Sequence, residues 1–301
     1  MRKVFAILLL LLSCTSVQAQ HWLGVSVDAD LAWQLDKINI TKAKTGGGGA
    51  IGAVYQFQYN HFTLETGLNG AYTHNVVGVN DTLLRFDMID TRGQLFTYNG
   101  YLKDRTDVSK TLSVNIPLML GAELNHFYAI AGAKLSLNLL TRTQQTALLS
   151  TTGDYDIYYE PLVDMPNHGF HDFEKELTNG TMKFKMLDVR VAAEIGTLFY
   201  ASNRASKYRI GLFAEYGVLN VREQSTNQPL LVPDLSEYMH CQMNHIYSSS
   251  YNTTSPVHNL SCGIRLTVLF SIGNTNRRIH TPSYHRSSHR HSYPCRCRSY
   301  L

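Results

Sequence analysis

The sequence predicts an all-β protein, an antiparallel up-and-down transmembrane β-barrel of about 8 strands with short periplasmic turns and long extracellular loops. Three observations predict it: an N-terminal export signal, a recurring alternation of apolar and polar residues, and charged residues on the polar faces. In the first strand every second residue from Leu23 to Leu31 is apolar, and Asp28 and Asp30 lie between them. A period of two residues is that of a β-strand with two unlike faces.

Residues 1–19 have the pattern of a secretory signal peptide. A basic start, Arg2-Lys3, precedes a short apolar core, and Val17-Gln18-Ala19 forms a cleavage site that would leave Gln20 first in the mature chain. The apolar run is shorter than the about 20 residues that a membrane-spanning helix needs. An alternative interpretation of this segment is a lipobox, which would leave a lipidated Cys14 at the new N-terminus.

Eight segments show the alternation, and each is near the ~9–11 residues that a tilted membrane strand needs. They cover residues 22–34, 51–59, 62–69, 114–123, 127–139, 187–196, 208–217 and 260–270. The fifth is the cleanest, with apolar side chains at every second position from Phe127 to Leu139. The sequence therefore divides into a signal peptide (1–19), a barrel (20–270) and a basic, disordered periplasmic tail rich in His and Cys (271–301).

The connections alternate in length, as they do in outer-membrane barrels whose long loops face outward. Short turns are expected at Asn60-His61, at Leu124-Asn125 and near residues 202–207. Long loops are expected at residues 36–48, 75–107, 141–183 and 222–256. An even number of strands places both ends of the barrel on the periplasmic side.

The polar faces carry too many charges, and too many glycines, for a face that meets only solvent. We therefore expect the apolar faces to meet lipid and the charged residues to pair inside a narrow lumen, because an unpaired buried charge costs several kcal/mol. The predicted lumen network consists of Asp28, Asp30, Glu65, Glu123, Lys134, Asp188, Arg190, Glu194, Arg209, Glu215 and Arg265. A salt-bridged plug is favoured over a water channel, since pores use about 16 strands or more. The alternative is a soluble, exported, lipocalin-like barrel with its apolar faces inside.

Four segments resemble those of a known family. They are residues 115–121 (NIPLMLG), 127–135 (FYAIAGAKL), 211–217 (GLFAEYG) and 263–270 (GIRLTVLF). In their order and spacing, from about Trp22 to Phe270, the chain resembles the PorT-like outer-membrane β-barrel proteins of Gram-negative, Bacteroidota-type bacteria. The resemblance implies an integral outer-membrane protein. Many such barrels end at the aromatic residue of the last strand, whereas this chain continues beyond Phe270.

The predicted function is a structural or surface-interaction role in the outer membrane, without catalysis and without a cofactor. Aromatic residues of the long loops are the candidates for recognition, because exposed aromatic side chains favour binding. They are Tyr98, Tyr101, Tyr155, Tyr158, Tyr159 and Phe170. The expected partners are outer-membrane lipid and either an extracellular ligand or another membrane protein. The small net charge of +4 gives no indication of nucleic-acid binding.

Two other functions stay open at this point. One is a small channel or a secretion-linked outer-membrane factor. The other is an enzyme at the loop rim, for which the loops offer nucleophile, base and orienting groups without diagnostic spacing. These groups are His74, Asp87, Asp90, His168, His171, Asp172, Ser236, His240 and His245.

The C-terminal tail offers candidate metal ligands. His285, His289, His291, Cys295 and Cys297 could together take zinc or copper. The simpler interpretation is a solvated basic tail that is attracted to anionic surfaces.

Overall fold

Twelve β-strands make up most of the computed structural model, which describes residues 19–90, 92–165, 169–170, 172–178, 184–202, 205–223, 229–233, 241–249 and 255–272. The strands are β1 (Gln20–Leu35), β2 (Thr41–Tyr59), β3 (Phe62–Val79), β4 (Thr82–Ile89), β5 (Leu95–Leu124), β6 (Phe127–Tyr155), β7 (Asp172–Thr178), β8 (Leu187–Tyr200), β9 (Ser206–Gly217), β10 (Leu231–Pro233), β11 (Cys241–Met243) and β12 (His258–Ile272). One turn of 3-10 helix spans Ile246–Ser248. Within these ranges, no helix has the length and apolar character to cross a membrane.

Eight strands form a closed antiparallel ring. Around the ring they follow the order β1, β2, β3, β5, β6, β8, β9 and β12, and β12 pairs back onto β1 from His21 opposite Ile272 to Leu35 opposite His258. β4 pairs with β5, β7 pairs with β6, and β10 and β11 pair with each other. The predicted fold, an up-and-down barrel closed by its first and last strands, is confirmed.

One end of the barrel, here called the near end, carries the tight turns. Asn60 and Asn125 occupy these turns with φ of 53° and 55°, a left-handed conformation that asparagine adopts more readily than most residues. The turn expected at Leu124-Asn125 lies one residue later, because Leu124 is the last residue of β5. Both described chain ends, Gln20 and Ile272, lie at this end as well.

The two faces of the barrel wall are the reverse of those of a soluble protein. On β6, Leu135 keeps 39% of its surface exposed on the outer face, whereas its neighbour Lys134 keeps 3% and lies inside. The same alternation runs along β1, where Val25 and Val27 are exposed and Ser26 and Asp28 are buried. The lipocalin-like alternative is therefore wrong, since it needs the apolar residues inside.

Most of the predicted long loops are instead strands. Tyr72, Leu112 and Leu140 lie side by side on β3, β5 and β6, and all three strands continue far beyond that level. β4 lies wholly beyond it. The glycine run before Ala50 belongs to β2. From Leu112 to the start of β5 at Leu95, the pair β5–β6 adds about 55 Å of strand beyond this level. We call this part of the sheet the extension.

In the extension the polarity of the two faces returns to that of a soluble sheet. Its inner face is apolar and packs against the connection between β9 and β12, which folds back over the sheet. These buried residues, here called the distal cluster, are Val77, Val79, Leu84, Phe96, Tyr98, Leu102, Ala147, Leu149, Phe170, Val221, Leu230, Leu231, Met243, Ile246, Tyr247 and Val257. The part of that connection which the structure describes, residues 218–223, 229–233, 241–249 and 255–257, is called the cap.

Candidate functional site

The eleven residues predicted for the lumen all point into it. Ten are buried, and Asp30 is partly exposed. They come from β1, β3, β5, β6, β8, β9 and β12, and apart from the pair of Arg190 with Asp188 on β8 their ion pairs join different strands. The predicted network is therefore present as a set of ion pairs that crosses the barrel.

Arg265 forms the centre of this network. Its Nε and Nη2 donate to Oδ1 and Oδ2 of Asp28 at 2.7 and 2.6 Å, and its Nη1 donates to Oε2 of Glu194 at 2.6 Å. The hydroxyl of Tyr128 donates to the other oxygen of Glu194 at 2.6 Å. A planar guanidinium can pair through two parallel N–H donors with one carboxylate while it donates to a second, a fixed fork geometry that an ammonium lacks.

On the distal side of Arg265, Glu215 joins two further cations to it. Lys134 donates to its Oε1, and Nη1 of Arg190 lies 3.8 Å from its Oε2. Arg190 also donates from Nε to Asp188 at 3.0 Å. Asp30 forms no ion pair with any residue that the structure describes, so it stands at the edge of the network.

On the near side, the network contains a cation that the sequence analysis missed. Lys207 donates to both carboxylate oxygens of Glu123, at 2.8 and 2.9 Å, and lies over the ring of Trp22 at 4.6 Å. Arg209 pairs with Glu65 beside it. Lys207 has the same parity as Arg209, so extending the alternation of that strand by one residue toward its start would have found it.

The side chains leave little free space inside the barrel. One cavity, beside Asp28, Asp30, Lys134, Arg190 and Glu215, has about 20 Å³, and a second, toward the distal side at Gln34, Asn75 and Asn259, has about 20 Å³ as well. Such a volume accommodates about one water molecule. The lumen is thus filled by paired side chains, as expected for a narrow barrel.

A buried polar clip fastens the cap to the extension. Arg105 donates from Nε and Nη2 to the two oxygens of Asp107, at 2.8 and 3.0 Å, and also donates from Nη2 to the carbonyl of Asn244. The backbone N–H of Ile246 donates to Oδ2 of Asp107 at 2.7 Å. Nδ1 of His245 lies 3.8 Å from the same oxygen. Asp107 and Arg105 therefore tie strand β5 to the cap through two hydrogen bonds, one from the N–H of Ile246 and one to the carbonyl of Asn244.

The electrostatics of this clip keep the carboxylate charged and the imidazole neutral. Burial lowers the pKa of His245 to about 4, against the opposing effect of Asp107 and with a smaller lowering by Arg105. Burial acts to raise the pKa of Asp107, but Arg105 and the hydrogen bonds at the carboxylate bring it below its ordinary value. Nδ1 of His245 accepts from the N–H of Tyr247 at 3.2 Å, an arrangement that requires it unprotonated.

A second contact holds the cap to the opposite wall. The hydroxyl of Tyr247 donates to Oδ2 of Asp36 at 2.7 Å, and Oδ1 of Asp36 accepts from the N–H of Ile38 at 2.9 Å. Burial and the neighbouring Asp36 raise the pKa of Tyr247 well above its ordinary value. The hydroxyl is therefore a hydrogen-bond donor at all physiological pH values.

The aromatic residues predicted for recognition fall into two groups. Tyr98 and Phe170 are 0% and 1% exposed and belong to the distal cluster, so the expectation that they lie on an exposed loop is wrong. The sequence was misleading because both residues lie in segments that lack the alternation typical of a membrane strand. Their burial comes instead from packing in the distal cluster. Tyr101 and Tyr155 are partly exposed, and Tyr158 and Tyr159 are exposed.

The loop-rim groups that the structure describes are not gathered in one place; Asp172, for example, begins β7. His245 is buried in the clip, Asp87 lies on β4, Asp90 lies in the β4–β5 turn, and His74 lies opposite Lys110 on the wall. His168, His171, Ser236 and His240 lie outside the described residues, as do residues 1–18 of the predicted signal peptide, with Cys14, and the tail candidates from His285 to Cys297. Among the described residues, no three His, Cys, Asp or Glu side chains come close enough to hold a metal.

The comparisons with known proteins return solved barrel structures at low similarity. No protein-family model matches the chain, and no curated protein matches it. Ail, the attachment invasion locus protein of Yersinia pestis, is 9% identical, with 82% of this chain and 99% of that chain covered and a TM-score of 0.29. Neisserial surface protein A is 10% identical over 83% and 98%, with a TM-score of 0.26. The outer membrane protease OmpT from Escherichia coli is 6% identical over 86% and 99%, with a TM-score of 0.31. All three TM-scores are below 0.5, so the assignment of the barrel rests on this chain's own strand pairing.

Proposed function

We propose that the protein is an integral outer-membrane β-barrel with a structural or surface-interaction role, in which the barrel anchors the extension and the cap outside the membrane. The observation that carries this proposal is the inverted wall, with apolar side chains outside and paired charges inside. Only closed barrels and helices satisfy all backbone hydrogen bonds in lipid. The short turns and both described chain ends lie at the near end, which we assign to the periplasm.

The size of the apolar band supports a membrane location. On β3 it runs from Phe62 to Tyr72, which at the usual strand tilt corresponds to a height of about 26 Å and matches the ~25 Å band of outer-membrane barrels. Aromatic side chains are exposed along its near edge, as in an interfacial girdle. They are Tyr59, Phe62, Phe127, Phe199, Tyr200, Tyr208 and Phe270.

The filled lumen supports an anchoring role over conduction, and the buried His245 gives no support to a rim enzyme. We therefore propose that the protein is neither a channel nor an enzyme, with membrane lipid and a surface partner as its interaction partners. Membership of the PorT-like family is part of this proposal, and only the resemblance of four short segments supports it.

Membrane extraction tests the proposal. We expect the protein to resist carbonate, to dissolve in detergent, and to migrate faster on a gel before heating than after it. Release by carbonate alone, without a heat-dependent shift, would overturn the membrane assignment.

A matched pair of substitutions separates a lipid-facing surface from a water-facing one. Leu135 and Ile157 are both exposed, but only Leu135 lies in the apolar band. Leu135→Arg should cost about 2–4 kcal/mol of folding free energy in lipid, as arginine does near the bilayer midplane. Ile157→Arg should leave stability unchanged. Equal tolerance of both substitutions would indicate a soluble barrel.

A further inference from the structure

The far end of the extension carries an exposed aromatic surface that packs against the distal cluster. We call residues 154–164 the distal tip, which begins at the end of β6. The ring of Tyr155 stacks on Phe96 at 4.7 Å with an interplanar angle of 9°, and Phe170 meets Phe96 edge-on at 5.9 Å. Phe96 and Phe170 are buried in the distal cluster. The tip therefore rests on a packed aromatic base.

The outermost residues of the tip continue this stack into solvent. Tyr158 packs edge-on against Tyr155 at 5.8 Å, and Tyr158, Tyr159 and Ile157 are exposed, Tyr159 completely. Tyr158, packed against Tyr155, loses less conformational entropy when a partner binds than a free side chain would, which is a property of binding surfaces rich in Tyr.

The charge of the tip is of one sign. Four exposed carboxylates alternate with the aromatic residues, and the segment contains no Lys, Arg or His. They are those of Asp154, Asp156, Glu160 and Asp164. In the facing turn, Asp90 accepts from the N–H groups of Arg92 and Gln94, both at 2.8 Å. The cation Arg92 acts against Asp90 at Tyr155. Burial, Asp90 and Tyr158 raise the pKa of Tyr155, as expected in a field that is negative overall.

Aromatic faces and carboxylates together match one class of partner. A guanidinium or ammonium group is attracted to the face of a tyrosine and pairs with a carboxylate. Anionic sugars and anionic lipid surfaces are repelled by the same charges. On the proposed function as a surface-interaction protein, we infer that the distal tip is the docking surface for a cationic polypeptide segment rich in Arg or Lys, bound between the tyrosines and the carboxylates.

Binding of a defined peptide to the full-length protein in detergent tests this inference. The probe is a fluorescein-labelled peptide of alternating arginine and glycine, and the counter-probe alternates glutamate and glycine. Fluorescence anisotropy should show binding of the first and not the second, and the affinity should fall steeply as salt is raised toward ~1 M. Heat-dependent migration of the same sample confirms that the barrel is folded, so a failure of binding would overturn the inference without touching the proposed anchor.

Matched variants locate the site. Tyr158→Ala/Tyr159→Ala and Asp156→Asn/Glu160→Gln should each weaken binding about tenfold, whereas Tyr158→Phe/Tyr159→Phe should preserve it. Asp81→Asn/Glu223→Gln removes the same number of exposed charges away from the tip and should leave binding unchanged. Equal loss in this control would place the interaction elsewhere and overturn the inference.

A sugar partner would give a different result. Binding of neutral dextran that depends on Tyr158 and Tyr159 and is insensitive to salt would assign the tip to carbohydrate. That outcome also overturns a cationic partner.

Discussion

Arg265 contacts more carboxylates than any other cation described in the barrel, and those contacts reach three other strands. Asp28 comes from β1, Glu194 from β8 and Glu215, at 3.7 Å, from β9. Its guanidinium also lies over the ring of Phe213 at 4.9 Å. Removal of such a cation leaves uncompensated charge in a space without room for solvent, which is more costly than never having built the pair.

Arg265→Leu should lower the free energy of unfolding by about 3–5 kcal/mol. Urea unfolding in lipid vesicles, followed by the heat-dependent gel shift, measures this. The double variant Asp28→Asn/Arg265→Leu should recover part of the loss, because one of the stranded carboxylates is gone. A single variant as stable as the wild type would show that the network does not bear on stability.

At this scale the sequence predicted the site well, because the inward direction of each lumen charge follows from its own strand. There the charged residue alternates with the apolar residues of the outer face. It predicted the wrong environment for Tyr98 and Phe170, since both are buried in the distal cluster, whose members from the cap, such as Val221 and Tyr247, lie more than 50 residues away along the chain. No pattern within a strand reports such a long-range contact.

At the scale of elements, the length of β5 and β6 was underestimated for a physical reason. A search for membrane strands looks for apolar residues on the outer face, and in the extension this face is polar. The parity also changes once on each strand: β6 has an extra residue, Leu139, opposite the step from Leu112 to Ser113, and β5 has an extra residue between Lys103 and Thr106. Asp104 lies in the second of these with φ of 50°. One extra residue moves every following side chain to the other face, so a continuous strand reads as an irregular loop.

The attachment of the cap should weaken in acid because of His245. The pKa of His245 is about 4 in the folded protein and 6.5 in an unfolded segment. Between pH 4 and pH 6.5, His245 is therefore protonated when the cap is released and neutral when the cap is docked. Stability rises with pH wherever the unfolded state binds more protons. Docking of the cap is therefore complete above pH 6.5 and should lose up to ~3 kcal/mol as the pH falls to about 4. Asp107, with its lowered pKa, stays charged over this window.

Hydrogen exchange of residues 243–247 measures this, after correction for the intrinsic pH dependence of exchange. Protection should fall between pH 7 and pH 4.5 in the wild type. In His245→Asn it should be independent of pH over the same range, whatever its level. A pH-independent wild type would contradict the assignment of a neutral, buried His245.

On the scale of the whole molecule, the ion-pair network and the cap both block the path through the barrel lumen. Ion pairs fill the lumen from Glu123 to Asp188, and the cap covers its distal mouth through Asp107 and Tyr247. The barrel alone does not need the cap to be sealed, since the network around Arg265 is complete without it. The cap instead completes the apolar inner face of the extension, which would otherwise be exposed to water.

The protein should therefore not conduct, with or without its cap. In planar bilayers, neither the wild type nor a variant with residues 229–249 replaced by a short Gly/Ser linker should give discrete current steps, because the lumen cavities each hold about one water. A heat-dependent shift of the same samples shows that both barrels are folded. Steps in the deletion variant alone would make the cap the seal, and steps in the wild type would reopen the channel function. The deletion should at the same time expose Tyr98, Leu102 and Leu149, so proteolysis should remove the extension and leave the barrel intact.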